Sequence, residues 1–235
     1  MQESFTERVN GLGTVLMVWA HPDDETYLAG GLSATLTDAR QRVVCVTATR
    51  GEAGGTAADL AEVRTAELEA ALKLLGVEEH HWLDYPDGGC ADVDADQAAA
   101  RIRALVDDVR PDTVVTFGPD GFTGHPDHQA VSRWVDLVLT GRPDVQLLHA
   151  VAREHPVDPG LDEEFGVFEL GRPRTCADDE IDVLLPLEAS VLDRKVQALL
   201  LQESQTAALV SAVGLPRFRD WVATEALAAP AVEHR

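Results

Sequence analysis

Four strand-length apolar runs, each ending in a cluster of polar side chains, constrain this chain more than any other feature of its sequence. They are Val15–Ala20, Val43–Thr49, His81–Tyr85 and Thr113–Gly118. Helix-length amphipathic stretches alternate with them at Ala29–Ala39, Ala57–Leu75, Asp96–Val109 and His125–Leu139. Short runs rich in β-branched residues read as strands buried on both faces, and their alternation with helices favours a parallel sheet covered on both sides. Gly76 after Leu74-Leu75 and Pro111 after Val109 mark two helix ends. Further strands are expected at Val145–Arg153 and Ile181–Leu187, and one long helix at Glu188–Gln205. Residues 154–180, rich in acid, Gly and Pro, read as an irregular surface excursion. The expected class is α/β in a single domain over 1–235, with a motif-bearing core at about 14–205.

In an open parallel sheet, ligands bind beyond the carboxyl ends of the strands. "AHPDDE" follows the first run, "TRGEAGG" the second, "YPDGG" the third and "GPDGFTGHPDH" the fourth, so all four clusters fall on one rim. No G-x-G-x-x-G follows the first strand, and Gly30-Gly31 does not replace it, so a dinucleotide fingerprint is absent. There is no G-x-S-x-G elbow for a serine nucleophile. The formal net charge of −22, from 41 acidic and 19 basic residues, argues against nucleic acid or an anionic membrane as partner. Met1–Asn10 lacks the apolar stretch of a signal peptide, and no segment approaches the roughly 20 apolar residues of a membrane span. Cys45, Cys90 and Cys176 form no C-x-x-C and read as reduced thiols of a cytoplasmic protein. Nothing in the sequence sets an oligomeric state.

His21 and Asp24 are three residues apart in a turn entering a helix, where both side chains reach one point in space. His125 and His128 repeat that spacing after the fourth strand. Imidazole and carboxylate together suit zinc, and His21, Asp24 and one of the two later histidines would leave a coordination position open. Zinc would lower the pKa of a bound water to about 7 and polarise a carbonyl. Asp23, whose side chain leaves the turn in another direction, is placed to take a proton from that water. The unligated histidine, held protonated by a carboxylate such as Asp127, would steady an oxyanion and protonate a leaving amine. Each residue alone has a plainer reading, Asp23 as a helix N-cap and a histidine as a solvated side chain. Two histidine clusters with carboxylates on one rim are what favour the metal.

"AHPDDE", "TRGEAGG" and "GHPDHQAV", in this order and spacing, resemble the PIG-L (LmbE-like) family. The resemblance runs from about residue 14 to 135, supported by Arg64-Thr-Ala-Glu67 and "WLDYPDGG". It is fainter in "KVQALLLQESQT", which carries Gln202 where the family has histidine. It implies a Rossmann-like, mostly parallel sheet and a zinc-dependent N-deacetylase of N-acetylglucosamine-containing substrates. By position it makes His21, Asp24 and His128 the zinc ligands and Asp23 the general base. His125 becomes the cationic group, with Asp127 beside it. Arg64 becomes a substrate contact, against the alternative of a helix pair with Glu67. Arg50 and Glu52 either contact sugar hydroxyls or close a glycine-rich loop. Thr123 stands where some members carry an oxyanion-binding tyrosine.

The expected activity is therefore removal of an N-acetyl group from a small amino-sugar conjugate, releasing acetate and a free amine. One zinc serves per chain, and Fe2+ fits the same donors. The alternatives are a binuclear metallohydrolase of another ester or amide, and a non-catalytic metal- or sugar-binding module. Asp87 in "YPDGG" lies on the same rim, where Asp-Gly is also a common turn pair.

Overall fold

The fold is seen in a computed structural model, which describes Val9, residues 11–156 and residues 158–231. The leader reading of Met1–Asn10 lies outside the described residues, Val9 excepted. Among the described residues nine strands run in chain order: β1 (Val15–Trp19), β2 (Val43–Thr49), β3 (Glu79–Tyr85), β4 (Thr113–Phe117), β5 (Gln146–Ala150), β6 (Ala152–Arg153), β7 (Thr175–Cys176), β8 (Val183–Pro186) and β9 (Thr224–Ala228). Seven of them form one sheet in the order β3-β2-β1-β4-β5-β9-β8, and β6 pairs with β7 in a small separate ribbon. From β3 to β5 all pairings are parallel; β9 runs antiparallel to both β5 and β8.

β1 sits near the middle of the sheet, and every side chain of VLMVW is buried, which is why its sequence shows no alternation. Helices Asp24–Asp38, Leu60–Leu75 and Ala189–Leu201 pack against one another on one face, while Ala95–Val109 and Pro126–Leu139 pack together on the other. Strand order reverses between β1 and β4: β2 lies on one side of β1 and β4 on the other. The connections leaving these neighbours diverge there and open a crevice above their carboxyl ends.

Among the described residues no helix is long and apolar enough to cross a membrane. Cys45, Cys90 and Cys176 are all buried free thiols.

Several elements differ from the sequence expectation, each for a tertiary reason. The run Val145–Arg153 splits at Val151 into β5 and β6, one in each sheet. The long helix at Glu188–Gln205 is two, Ala189–Leu201 and Glu203–Val213, broken at Gln202, whose side chain turns into the core. The helix expected from Ala29 begins at Asp24 and carries a non-helical residue at Ala29. β9, Thr-Glu-Ala-Leu-Ala, has a helix-forming composition and becomes a strand because β5 and β8 offer it pairing partners.

Candidate functional site

The chain leaves β1 at Trp19 and turns through Ala20–Asp23 into the helix Asp24–Asp38. Within that turn the His21 N–H donates to Asp24 Oδ2 at 2.8 Å, which folds the Asp24 carboxylate back over His21. Asp23 adopts φ 109° and ψ −31°, a region that side chains other than glycine rarely occupy. Its side chain makes no cap bond, so the N-cap reading does not hold. Instead Asp23 faces the main cavity together with Asp24 and His128.

The second cluster leaves β4 through a left-handed turn at Gly121, Phe122 and Gly124 into the helix Pro126–Leu139. His128 stacks on Phe117 at a centroid distance of 4.1 Å, and its Nδ1 lies 2.9 Å from the Gly121 carbonyl. A carbonyl only accepts, so Nδ1 carries the proton and Nε2 presents a lone pair. His21 Nε2 stands 3.0 Å from Asp87 Oδ1 and 3.2 Å from Asp127 Oδ2. In the neutral ring those carboxylates fix the proton on Nε2 and leave the lone pair on Nδ1.

These lone pairs converge. His21 Nδ1 is 3.1 Å from His128 Nε2 and 3.6 Å from Asp24 Oδ2, and His128 Nε2 is 3.4 Å from Asp24 Oδ1. Three tetrahedral ligands at zinc distances of 2.0–2.1 Å stand about 3.4 Å apart, so the three donors fit a zinc-sized cation. With both rings neutral, three acceptors this close repel one another unless a cation lies between them; with His21 protonated, its Nδ1–H donates to His128 Nε2 instead. His125 also approaches, since nitrogen atoms of His21, His125 and His128 lie within 4.8 Å of one another. The two rings of His21 and His128 are common to both arrangements, with either a carboxylate of Asp24 or the ring of His125 as the third donor.

Electrostatics follow from this crowding. Burial disfavours the cationic form of His21, but its hydrogen bonds to Asp127, Asp24 and Asp87 outweigh that and raise its pKa well above the ordinary value. Burial alone would raise Asp24; the facing His128 and His21 pull it down to about 2. Asp23 is pushed up to about 8, chiefly by burial and then by Asp24 and Glu25, while Arg64 opposes the shift. Asp23 and Arg64 are in ion-pair contact at 3.5 Å.

Other residues singled out in the sequence take definite places. Asp127 is fully buried, and its carboxylate goes to His21, to Gly88 N at 2.7 Å and to Cys90 N at 3.0 Å. The expectation that this carboxylate keeps His125 charged is thus corrected: Asp127 meets His125 through its backbone N–H, 3.2 Å from His125 Nδ1. That bond occupies Nδ1 and leaves His125 Nε2 as the nitrogen able to hold or release a proton. Burial and the proximity of His21 lower the His125 pKa against the pull of Asp127 and other carboxylates.

Arg64 is only 4% exposed, donates to the carbonyls of Gly51 (2.9 Å) and Pro22, and ties the first two rim loops together. The pair with Glu67 is not formed; Glu67 accepts from Ser204 instead. Arg50 donates to Asp84 and Thr65 and lies 4.0 Å over the Trp82 ring, and Glu52 accepts from Asp87 N at 3.0 Å. Neither lines the main cavity; both line a smaller one of about 360 Å³ beside Asp84, Tyr85 and Pro86. Gln202 donates to Glu25 Oε1 at 2.9 Å and Thr26 Oγ1 at 2.8 Å, bracing the buried Glu25 behind the turn.

The cavity of about 910 Å³ extends from Asp23, Asp24 and His128 past Phe122 to Trp221 and the 154–180 segment. That segment is a wall of the site rather than a surface excursion. A Cβ on Gly124 would sit 2.4 Å from Gly171 N, so the two backbones touch, and Phe122 packs on Phe168 at 6.0 Å. Asp87, a rim residue by its place after the third strand, comes into contact with His21 because β3 lies beside β2 in the sheet.

A His/Asp cluster at the switch point of a Rossmann-like sheet, flanked by a further acid and histidine, makes an α/β site whose side chains could hold a metal ion. The chain belongs to the PIG-L family, described as GlcNAc-PI de-N-acetylase, which matches residues 16–139. It is 36% identical over 229 residues to a 1D-myo-inositol 2-acetamido-2-deoxy-alpha-D-glucopyranoside deacetylase of Mycobacterium sp. (strain KMS), covering 79% of this chain and 71% of that protein. A Kineococcus radiotolerans protein of the same name is 37% identical over 159 residues, 53% of this chain; the match spans 44% of that protein's length. The N,N'-diacetylchitobiose deacetylase of Pyrococcus horikoshii superposes with a TM-score of 0.65 over 95% of this chain and 86% of its own. At 18% identity that likeness shows the fold.

Proposed function

We propose that this chain is a zinc-dependent N-deacetylase that hydrolyses the acetamide of an N-acetylglucosamine-containing glycoside or conjugate, releasing acetate and a free amine. The observation carrying the reading is the convergence of His21 Nδ1, Asp24 and His128 Nε2 within 3.1–3.6 Å of one another, beside the carboxylate of Asp23. His21, Asp24 and His128 would hold the ion, whose chemistry is to acidify a water and polarise the acetamide carbonyl.

The chain's own residues do the rest. Asp127 and Asp87 keep the His21 proton on Nε2, and Gly121 keeps the His128 proton on Nδ1. Asp23, held in its strained turn against Arg64, takes the proton of the attacking water. His125, its Nδ1 occupied by the Asp127 N–H, keeps its proton on Nε2 and offers it as a hydrogen bond to the developing oxyanion, while the proton taken up by Asp23 is the one the departing amine receives. Phe122, Phe168 and Trp221 line the part of the cavity that receives the rest of the conjugate. The relatives named above for an inositol glycoside make that conjugate the first to assay.

The test is acetate release by zinc-loaded protein from N-acetylglucosaminyl inositol, N-acetylglucosaminyl malate and N,N'-diacetylchitobiose, with and without a chelator. Chelator-sensitive release from at least one supports the reading. No release from any of the three overturns it.

A further inference from the structure

We propose that the buried pair Lys195–Glu225 is a positioning device that holds open the helix after Tyr27 and so fixes the turn carrying Asp23 and Asp24. The inference rests on the reading of Asp24 as a metal ligand. Lys195 is one of two lysines in the chain, and its side chain is wholly buried, as is nearly all of Glu225. Neither belongs to the chemistry described above.

The helix Asp24–Asp38 is interrupted at Ala29. In an unbroken helix the Gly31 N–H would donate to the carbonyl of Tyr27, four residues back. Here the Gly31 N–H donates to Glu225 Oε1 at 2.7 Å, and the Tyr27 carbonyl accepts from Lys195 Nζ at 2.8 Å. Lys195 and Glu225 meet at 2.7 Å, so the ion pair occupies both groups of that one helical bond. Glu225 Oε2 also accepts from Leu32 N at 2.8 Å. Gly31 also sits under Leu187: a Cβ there would lie 2.3 Å from Leu187 Cδ2 and 3.1 Å from Glu225 Oε1.

The pair thus divides the helix. Its first turn carries Asp24 and Tyr27 toward the cavity, and the remainder packs on the sheet and on Ala189–Leu201. Stability alone does not demand a buried ion pair, because well-packed apolar residues of similar volume commonly serve as well or better. Apolar residues would leave the Gly31 and Leu32 N–H groups and the Tyr27 carbonyl without these partners. What the pair supplies is a fixed direction for the segment bearing Asp23 and Asp24, set from two distant elements, the helix Ala189–Leu201 and β9.

Lys195→Met and Glu225→Gln test this in the full chain. Zinc alone is titrated against a chromophoric chelator, amide exchange is followed over Tyr27–Leu32, and thermal midpoint and acetate release are measured alongside. The expected result is zinc affinity lowered about 10-fold or more, as for groups that orient metal ligands. Exchange at Gly31 and Leu32 should quicken, and kcat should fall with KM within about twofold. If Lys195→Met does not fold, Glu225→Gln, which keeps the side-chain shape, carries the test. A lower midpoint with parental zinc affinity and parental exchange in the folded protein overturns the proposal, since that is a purely structural role. Absence of acetate release by the parent would refute the proposed activity, while the zinc titration and the exchange data would still decide this inference.

Discussion

Asp127 Oδ2 stands 3.2 Å from His21 Nε2, on the far side of the imidazole from the nitrogen that faces His128. A carboxylate so placed selects the tautomer and strengthens the other nitrogen as a ligand. Asp127→Asn is expected to weaken zinc binding about 10- to 100-fold. Chelator competition measures this directly. Unchanged zinc affinity would show that Asp127 merely braces the Gly88–Cys90 loop.

Asp23 and Asp24, adjacent in sequence and both facing the cavity, are given separate tasks in the proposed mechanism, Asp23 from a backbone at φ 109°. Asp23→Asn should keep one zinc per chain while acetate release falls roughly 10²- to 10⁴-fold, the usual worth of a positioned base. Asp24→Asn should lose the metal itself. Elemental analysis beside initial rates separates them, and full activity in Asp23→Asn would remove it from the mechanism.

The parallel core and its rim were legible because buried parallel strands declare themselves as unbroken apolar runs; Val43–Thr49 is a strand with the bounds its sequence suggests. The convergence of two histidine motifs was legible too, since strand order places the ends of β1 and β4 side by side. What stayed hidden depended on long-range partners. Asp87 reads as a turn aspartate until β3 brings it to His21, and Glu225 sits in a stretch of helix-forming residues until β5 and β8 pair with it. Arg64 shows the same limit: local spacing offers Glu67, whereas two loop carbonyls capture it. The break at Gln202 likewise follows from partners, Glu25 and Thr26, that are far away in sequence.

Metal binding should be visible as stability. A ligand that binds only the folded state stabilises it by about 2.7 kcal/mol at one hundred times its Kd. For a chain of this length, each kcal/mol moves the melting point by about 2–4 °C. Stripping zinc with a chelator is therefore expected to lower Tm by about 5–10 °C. Asp24→Ala should show no chelator-dependent shift. An equal shift in that variant would place the metal elsewhere.

His149 is expected to give the fold an acid sensitivity of its own. It is buried in β5, its Nε2 has no hydrogen-bond partner, and Asp136 Oδ1 stands 3.9 Å away. Burial lowers its pKa from 6.5 to about 4. The unfolded chain therefore takes up the proton first, so this contribution is intact above pH 6.5 and is lost as pH falls toward 4. Between neutrality and pH 4.5 the loss is about 2–3 kcal/mol. His149→Leu removes the titrating group, so its stability should fall less over that interval by about the same amount. Urea denaturation of both proteins at pH 7 and 4.5, with chelator present throughout, isolates the effect from metal release. Parallel losses in the two proteins would assign the acid sensitivity to other groups, His80 first, whose pKa burial also lowers to about 4.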